Sequence, residues 1–218
     1  MRINKYIAER LGISRRKADD IIENGGVTVN GLLAQPGQTI ADNDVVMLNN
    51  KTLPEAPKYI TIMLNKPVGY VCSKDGQGSN TIYDILPSKY QKLNPVGRLD
   101  KDSSGLLLLT NNGNLHQELT HPSYQKEKIY QVSINKPLSS EDNIRIQRGI
   151  ELDDGISKLS LRAENSNGKT WTVTMHEGKN RQIRRTFEKA GYKIINLHRI
   201  NFGIYKLDEL QSGEYLVI

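Results

Sequence analysis

Residues 97–113 read GRLDKDSSGLLLLTNNG. Gly97, Gly105 and Gly113 punctuate two apolar segments, so the stretch predicts a strand, a loop at its end, and a second, buried strand. Asp100 falls on that loop. Loops held by a rigid sheet are where catalytic groups concentrate, yet a carboxylate here could equally pair with Arg98 or cap a turn through its own backbone. Physics alone leaves both readings open.

Outward from this stretch the chain alternates strands and short helices. Upstream, YITIMLN (59–65) predicts a strand and TIYDILP (81–87) a helical turn ended by Pro87. Downstream, NLHQELTHP (114–122) predicts a helix and EKIYQVSIN (127–135) a strand. A helix can begin at Ser140, and Asn167-Gly168 joins two strands as a hairpin. NRQIRRTFEKAG (180–191) predicts a helix with Ile183 and Phe187 inward, and EYLVI (214–218) a closing strand. Strands outnumber helices and hairpins recur, so residues 60–218 are expected to form an α+β domain with a mixed, largely antiparallel sheet.

The front of the chain differs. Ile3, Ile7 and Leu11 recur at helical spacing before Gly12, and Ser14 can cap a second helix carrying Ala18, Ile21 and Ile22. Short alternating strands follow, with Asn30-Gly31 as a tight hairpin turn. Residues 1–48 are therefore expected to form a small helical and β-ribbon module. The polar NNKTLPEAPKY (49–59) is expected to be a linker.

Charge adds a function class. The 218-residue chain carries 30 Lys and Arg against 24 Asp and Glu. The excess is clustered: Arg2, Lys5, Arg10, Arg15, Arg16 and Lys17 face only Glu9, and a second cluster runs from Lys169 to Lys206. Two such patches suggest a polyanionic partner, although solvated helix faces carry charge as well. Apolar runs are too short to span a membrane, the first residues lack a signal peptide's pattern, and a cytoplasmic protein is expected. Cys72 is the lone cysteine and is set aside as structural. His116, His121, His176 and His198 show no metal-ligand spacing, so no metal is expected.

The pattern RINKYIAERLGISRRKADDIIENGGVTVNG resembles the "S-four" RNA-binding module, whose two helices present basic side chains to folded RNA. GRLDKDSSGLLLLTNNG resembles the signature of the RNA pseudouridine synthases. LNKPVGYVCS, HPSYQKEKIYQV, EGKNRQIRRTFEKAGY and LHRINFG follow that family's further motifs in order. The resemblance implies that a uracil is detached from its ribose at a ring nitrogen, turned, and rejoined through a ring carbon. It further implies Asp100 as the catalytic carboxylate, Tyr130 packing against the base, and Arg184 pairing with Asp100 to keep it ionised. Arg185, next to Arg184, could exchange roles with it. Ser103 stands where relatives often have threonine.

No group is transferred and nothing is oxidised in such a reaction, so neither cofactor nor metal is expected. Candidate RNA contacts are Arg2, Lys5, Ser14, Arg15, Arg16, Lys17, Arg98, Lys179, Arg181 and Arg185, while Lys101 and Asp102 read as exposed loop charges. Ile183 and Leu197 either line the pocket or fill the core. The implied partner is ribosomal RNA or an assembly intermediate, with large-subunit rRNA favoured over small-subunit rRNA and a monomer as the default. Alternatives from other classes are a non-catalytic RNA-binding assembly factor and a glycosidic or RNA-cleaving hydrolase; the latter lacks a second carboxylate poised as general acid.

Overall fold

The computed structural model describes residues 1–218, apart from the side chain of Pro122. The chain divides into two compact units, Met1–Tyr59 and Ile60–Ile218. Among the described residues no helix is long and apolar enough to cross a membrane.

In the first unit, α1 (Ile3–Leu11) stops at Gly12 and α2 (Arg15–Glu23) starts after Ser14. The Ser14 hydroxyl accepts the Lys17 N–H at 3.2 Å, satisfying one of the helix's orphan donors. Ile3, Ile7, Ala18 and Ile22 turn inward onto the sheet residues Val27 and Val46. That sheet comprises β1 (Val27–Val29), β2 (Leu32–Leu33), β3 (Val46–Leu48) and β4 (Lys51–Thr52), in the order β2-β1-β3-β4.

The β4 strand corrects the reading of residues 49–59 as linker from their start. Asn49 and Asn50 lie at φ 49° and 62°, and Leu48 pairs with Lys51 across them. Two consecutive left-handed asparagines make a two-residue hairpin turn whose twist suits antiparallel strands. The polar composition thus marks a turn, and strand pairing continues to Thr52.

The second unit contains β5 (Thr61–Lys66), β6 (Asn94–Val96), β7 (Ser104–Thr110), α3 (Gly113–Thr120), β8 (Lys128–Ile134), α4 (Ser140–Arg148), β9 (Ile150–Leu152) and β10 (Gly155–Ser157). These are followed by β11 (Ser160–Ala163), β12 (Thr170–Met175), α5 (Gln182–Lys189), β13 (Ile194–Phe202), β14 (Tyr205–Lys206) and β15 (Tyr215–Val217). The large sheet runs β11-β12-β8-β13-β7-β5-β15, with β14 beside β13 and β6 beside β7. The β13–β7 pairing is parallel, and the other pairings described in this sheet are antiparallel. The fold is α+β, as expected.

β7 explains the leucine run. Leu107 and Leu109 join Val132, Ile183, Phe187 and Leu197 on one face, while Leu106 and Leu108 join Met63, Val96, Leu119 and Phe202 on the other. Side chains alternate along a strand, so four successive leucines require a sheet covered on both faces. The Asp100 loop enters this strand, and β7 therefore holds its C-terminal end rigid.

A second fixed point lies upstream. Tyr83 is buried and its hydroxyl donates to the Leu93 carbonyl at 2.9 Å. Burial pushes this phenol up to about 12 from an ordinary value of 10.0. The neutral form is favoured in the fold, so its contribution is complete below pH 10 and is lost as pH rises through 12. Tyr83→Phe should flatten the fall in stability across that interval in urea titrations. A wild-type slope that survives the substitution would assign the loss to other groups.

Candidate active site

The loop from Gly97 to Ser103 is pinned at several points. Cys72 Sγ lies 3.3 Å from the Leu99 carbonyl and 3.4 Å from the Leu99 N–H. Gly69 N–H donates to the Lys101 carbonyl at 2.7 Å, and Ser103 N–H closes a turn on the Asp100 carbonyl at 3.1 Å. Beneath the loop, Lys66 is fully buried, and its Nζ donates to the carbonyls of Ser103 (2.7 Å) and Pro67 (2.9 Å). Burial pushes the Lys66 ammonium below its ordinary value. Cys72 is thus structural, and Lys66 is an anchor that the sequence analysis passed over. Its signal was a cation closing the otherwise uncharged segment TIMLNK.

Held this way, the Asp100 side chain keeps 35% of its surface exposed and lies 3.4 Å from Arg181 Nη1. Arg184 does not make the ion pair with Asp100 that the resemblance implied. Its Nη2 donates to the Asp102 carbonyl at 2.7 Å and the Ser103 hydroxyl at 3.3 Å. Its Nε lies 3.2 Å from the Asp102 carboxylate, off the hydrogen-bond line. Arg181 takes the same carboxylate in a two-pronged grip, at 3.0 and 2.9 Å. The reason is helical spacing: Arg181, the N-cap of α5, and Arg184 are three residues apart and share a face. Asp102 projects between them.

Asp102 is exposed, as read, but it also joins loop to helix. Hydrogen bonding from Arg181 holds its carboxyl below the usual range, whereas burial pushes the Arg184 guanidinium down and the carboxylate only partly offsets this. Arg184 remains protonated regardless. Asp102→Ala should lower stability at neutral pH by about 1 kcal/mol, a figure discounted for solvent screening. A lowered carboxyl stabilises above its unfolded value and ceases to as pH falls through the folded one, so the wild-type advantage should fade below pH 3.8. Equal urea midpoints at pH 7 would contradict this role.

Arg185 is not interchangeable with Arg184. It turns toward Asp154, whose carboxylate it grips at 3.0 and 2.8 Å, and donates to the Asn180 carbonyl at 2.8 Å. Lys179 Nζ bonds the Ile156 carbonyl and the Glu177 carboxylate, both at 2.7 Å. Arg98 is exposed on the cavity wall. In the first unit, Ser14, Arg15, Arg16 and Lys17 are exposed, Arg2 donates to the Gly37 carbonyl, and Lys5 lies 3.8 Å from Glu9.

Asp100 opens on a cavity of about 1080 Å³ that Tyr130, Ile183 and Leu197 also line. Tyr130 sits mid-sheet, paired with Val173 on β12 and Arg199 on β13, and is buried. Ile183 and Leu197 combine both readings, belonging to the core and lining the cavity. Arg199, 2% exposed, was also passed over. Its Nε donates to the Leu106 carbonyl at 2.8 Å, and its guanidinium lies 4.9 Å from the Phe202 ring centroid. Lys128 is a further cation on this wall, donating to the carbonyls of Lys126 (3.3 Å) and Glu177 (3.2 Å). The site thus offers Asp100 beside apolar and aromatic walls, with a second carboxylate, Glu177, bonded to Lys179 and Gln182, and a ring of cations. That is a chemistry suited to acting on a flat, uncharged ring carried by an anionic chain.

Comparison with known proteins agrees with this geometry. The family described as RNA pseudouridylate synthase matches residues 60–189, and the S4 domain matches residues 1–46. The chain is 35% identical to ribosomal large subunit pseudouridine synthase B of Bacillus subtilis, covering 98% of this chain and 90% of that one. It is 36% identical to the dual-specificity RNA pseudouridine synthase RluF of Escherichia coli, covering 99% and 74%. It is 34% identical to ribosomal small subunit pseudouridine synthase A of Vibrio vulnificus, covering 99% and 94%. A crystal structure of a pseudouridylate synthase superposes over 100% of this chain and 96% of its own, with a TM-score of 0.72 and 32% identity. Sequence motifs, sheet and cavity therefore converge: the chain belongs to the RNA pseudouridine synthases and carries an S4 domain at its front.

Proposed function

We propose that the protein isomerises a uridine of ribosomal RNA to pseudouridine, with large-subunit rRNA as substrate and Asp100 as the carboxylate that acts on the ribose. The accessible Asp100 side chain in the Tyr130 cavity carries this reading. Breaking the bond between ring nitrogen and ribose leaves uracil free to turn, and a bond from a ring carbon to the same ribose carbon completes the isomerisation. The displaced ring hydrogen leaves as a proton, and the freed nitrogen gains one. An ionised carboxylate near the sugar supports this chemistry, and the Tyr130 ring gives the turned base a flat surface.

The other residues divide the work. Arg181 and Arg184, through Asp102, hold the loop that presents Asp100. The exposed Arg15, Arg16 and Lys17 at the start of α2 provide phosphate contacts that register the folded RNA. Relatives act on either ribosomal subunit by name, so the deciding experiment maps pseudouridine across total rRNA from cells with and without the gene, by carbodiimide modification and primer-extension stops. One large-subunit stop lost on deletion and restored by the unaltered gene, but not by Asp100→Asn, is the expected result. A small-subunit stop would move the substrate, and an unchanged map would reject rRNA isomerisation.

A further inference from the structure

The cavity is larger than one base requires. At about 1080 Å³ it stands at the top of the roughly 300–1,000 Å³ range of small-ligand pockets. Asp100, Tyr130 and Leu197 occupy part of its lining; Leu119, Thr120, His121, Gln125, Lys126 and Lys128 form another part, with His176 and Glu177. The His176 ring nitrogen meets the Gln125 carbonyl at 3.2 Å, and Lys128 Nζ bridges to the Glu177 carbonyl, so the two walls are tied together.

An aromatic pair stands at the margin of this second wall, His121 lining the cavity and Tyr124 exposed beside it. Tyr124 is 54% exposed, and its ring meets that of the cavity-lining residue His121 edge-on, with centroids 6.0 Å apart at 67°. A short 3-10 turn (Pro122–Tyr124) fixes the pair, with Tyr124 N–H bonded to the His121 carbonyl at 3.1 Å and the His121 ring to the Ser123 hydroxyl at 2.7 Å. Lys126 Nζ lies 6.0 Å from the Tyr124 ring centroid and 2.9 Å from Glu118. Around the cavity as a whole, seven Lys or Arg side chains face the two carboxylates Asp100 and Glu177. An exposed aromatic face beside excess positive charge is the arrangement that holds unstacked nucleobases.

We propose that Tyr124, supported by His121, is a stacking platform for the base next to the target uridine, with Lys126 placed for the phosphate between them. Turning the uridine toward Asp100 removes its neighbour's stacking partner, and the platform replaces that partner. The inference rests on the synthase reading of the Asp100 site, because it needs a uridine turned into the cavity beside Tyr124. It makes Tyr124 a determinant of which neighbouring base is accepted, since larger bases offer more stacking surface.

The test uses the full chain and in vitro-transcribed large-subunit rRNA. Base–aromatic stacking contributes about 1–3 kcal/mol, so Tyr124→Ala should weaken filter-bound RNA affinity by ~5- to 150-fold and raise KM with little change in kcat, the signature of uniform binding. Tyr124→Phe, which keeps the ring, should restore both. On a stem-loop spanning the mapped uridine, removing the platform's base should cost wild type a similar factor and cost Tyr124→Ala nothing more. Wild-type affinity for Tyr124→Ala, or losses that multiply when the ring and each adjacent base are removed together, would overturn the platform. If wild type forms no pseudouridine on this RNA, the synthase reading falls instead, while the affinity comparison still decides whether Tyr124 holds RNA.

Discussion

Replacing Asp100 by asparagine should lower kcat by at least ~10³-fold, the expected loss if Asp100 is the general base or nucleophile. The RNA dissociation constant should stay within about threefold, because phosphate contacts supply most of the affinity of such enzymes. Asparagine matches aspartate in shape, so the loop's main-chain anchors at Leu99, Lys101 and Ser103 are untouched. The substitution removes a half-exposed ion pair with Arg181 at 3.4 Å, which contributes on the order of 0–1 kcal/mol. Stability should therefore hold while chemistry fails, and no other side chain on this loop can take over: Asp102 is committed to Arg181 and Arg184. Tritium release from 5-tritiated uridine in single-turnover reactions reads the step directly, because that hydrogen leaves when the ring carbon bonds the ribose. A variant retaining a tenth of wild-type kcat would remove Asp100 from the centre of the mechanism.

The second large effect concerns the fold beneath that loop. Gly105 lies at φ 104°, and a Cβ there would sit 2.2 Å from the Arg199 carbonyl oxygen and 2.6 Å from its nitrogen. Both obstacles are backbone, in the strand held between β8 and β7. Neither can rotate aside as a side chain would. Backbone strain of about 1–3 kcal/mol at such a φ adds to overpacking of about 1–3 kcal/mol, so Gly105→Ala should cost roughly 4 kcal/mol. Against a typical stability of about 5–15 kcal/mol, this should lower both the urea midpoint and the yield of folded protein. It should also displace the end of the Asp100 loop, whose last residue Ser103 is held by Lys66. A measured cost below about 1 kcal/mol would mean that the parallel β7–β13 pair separates easily.

Much of the architecture was written in short-range signals. Gly12 and Ser14 mark the break between α1 and α2, and Asn30-Gly31 forms the turn where it was expected. The four leucines of β7 indicated a buried strand before its neighbours were known, and the packing covers it on both faces. Composition misled at Asn49-Asn50, because asparagine suits both a loop and a left-handed hairpin turn, and only the presence of β3 to pair with decides between them.

The candidate site was legible in part. Motif order brought Asp100 and Tyr130 forward, and the fold sets both on one cavity. Lys66 and Arg199 escaped notice because their importance lies in burial: each is a cation donating to main-chain carbonyls inside the sheet, which a one-dimensional pattern does not display. Tyr124 escaped for the opposite reason, since its exposure follows from the turn that carries it.

The sequence by itself determined the break between α1 and α2, the Asn30-Gly31 turn, the buried β7 strand and the residues of the GRLD loop, because each follows from neighbours a few positions away. Only the tertiary structure decided which charges meet. Arg184 and Asp102 are 82 residues apart in the chain, and their pairing depends on α5 and the β6–β7 loop converging on one edge of the cavity. Arg181 and Arg184 share a helix face, and Asp102 reaches between them while Asp100 remains open to solvent. Ion pairs form between groups that the fold brings within a few ångströms of each other, and that proximity is a property of the packed sheet and helix rather than of the local sequence.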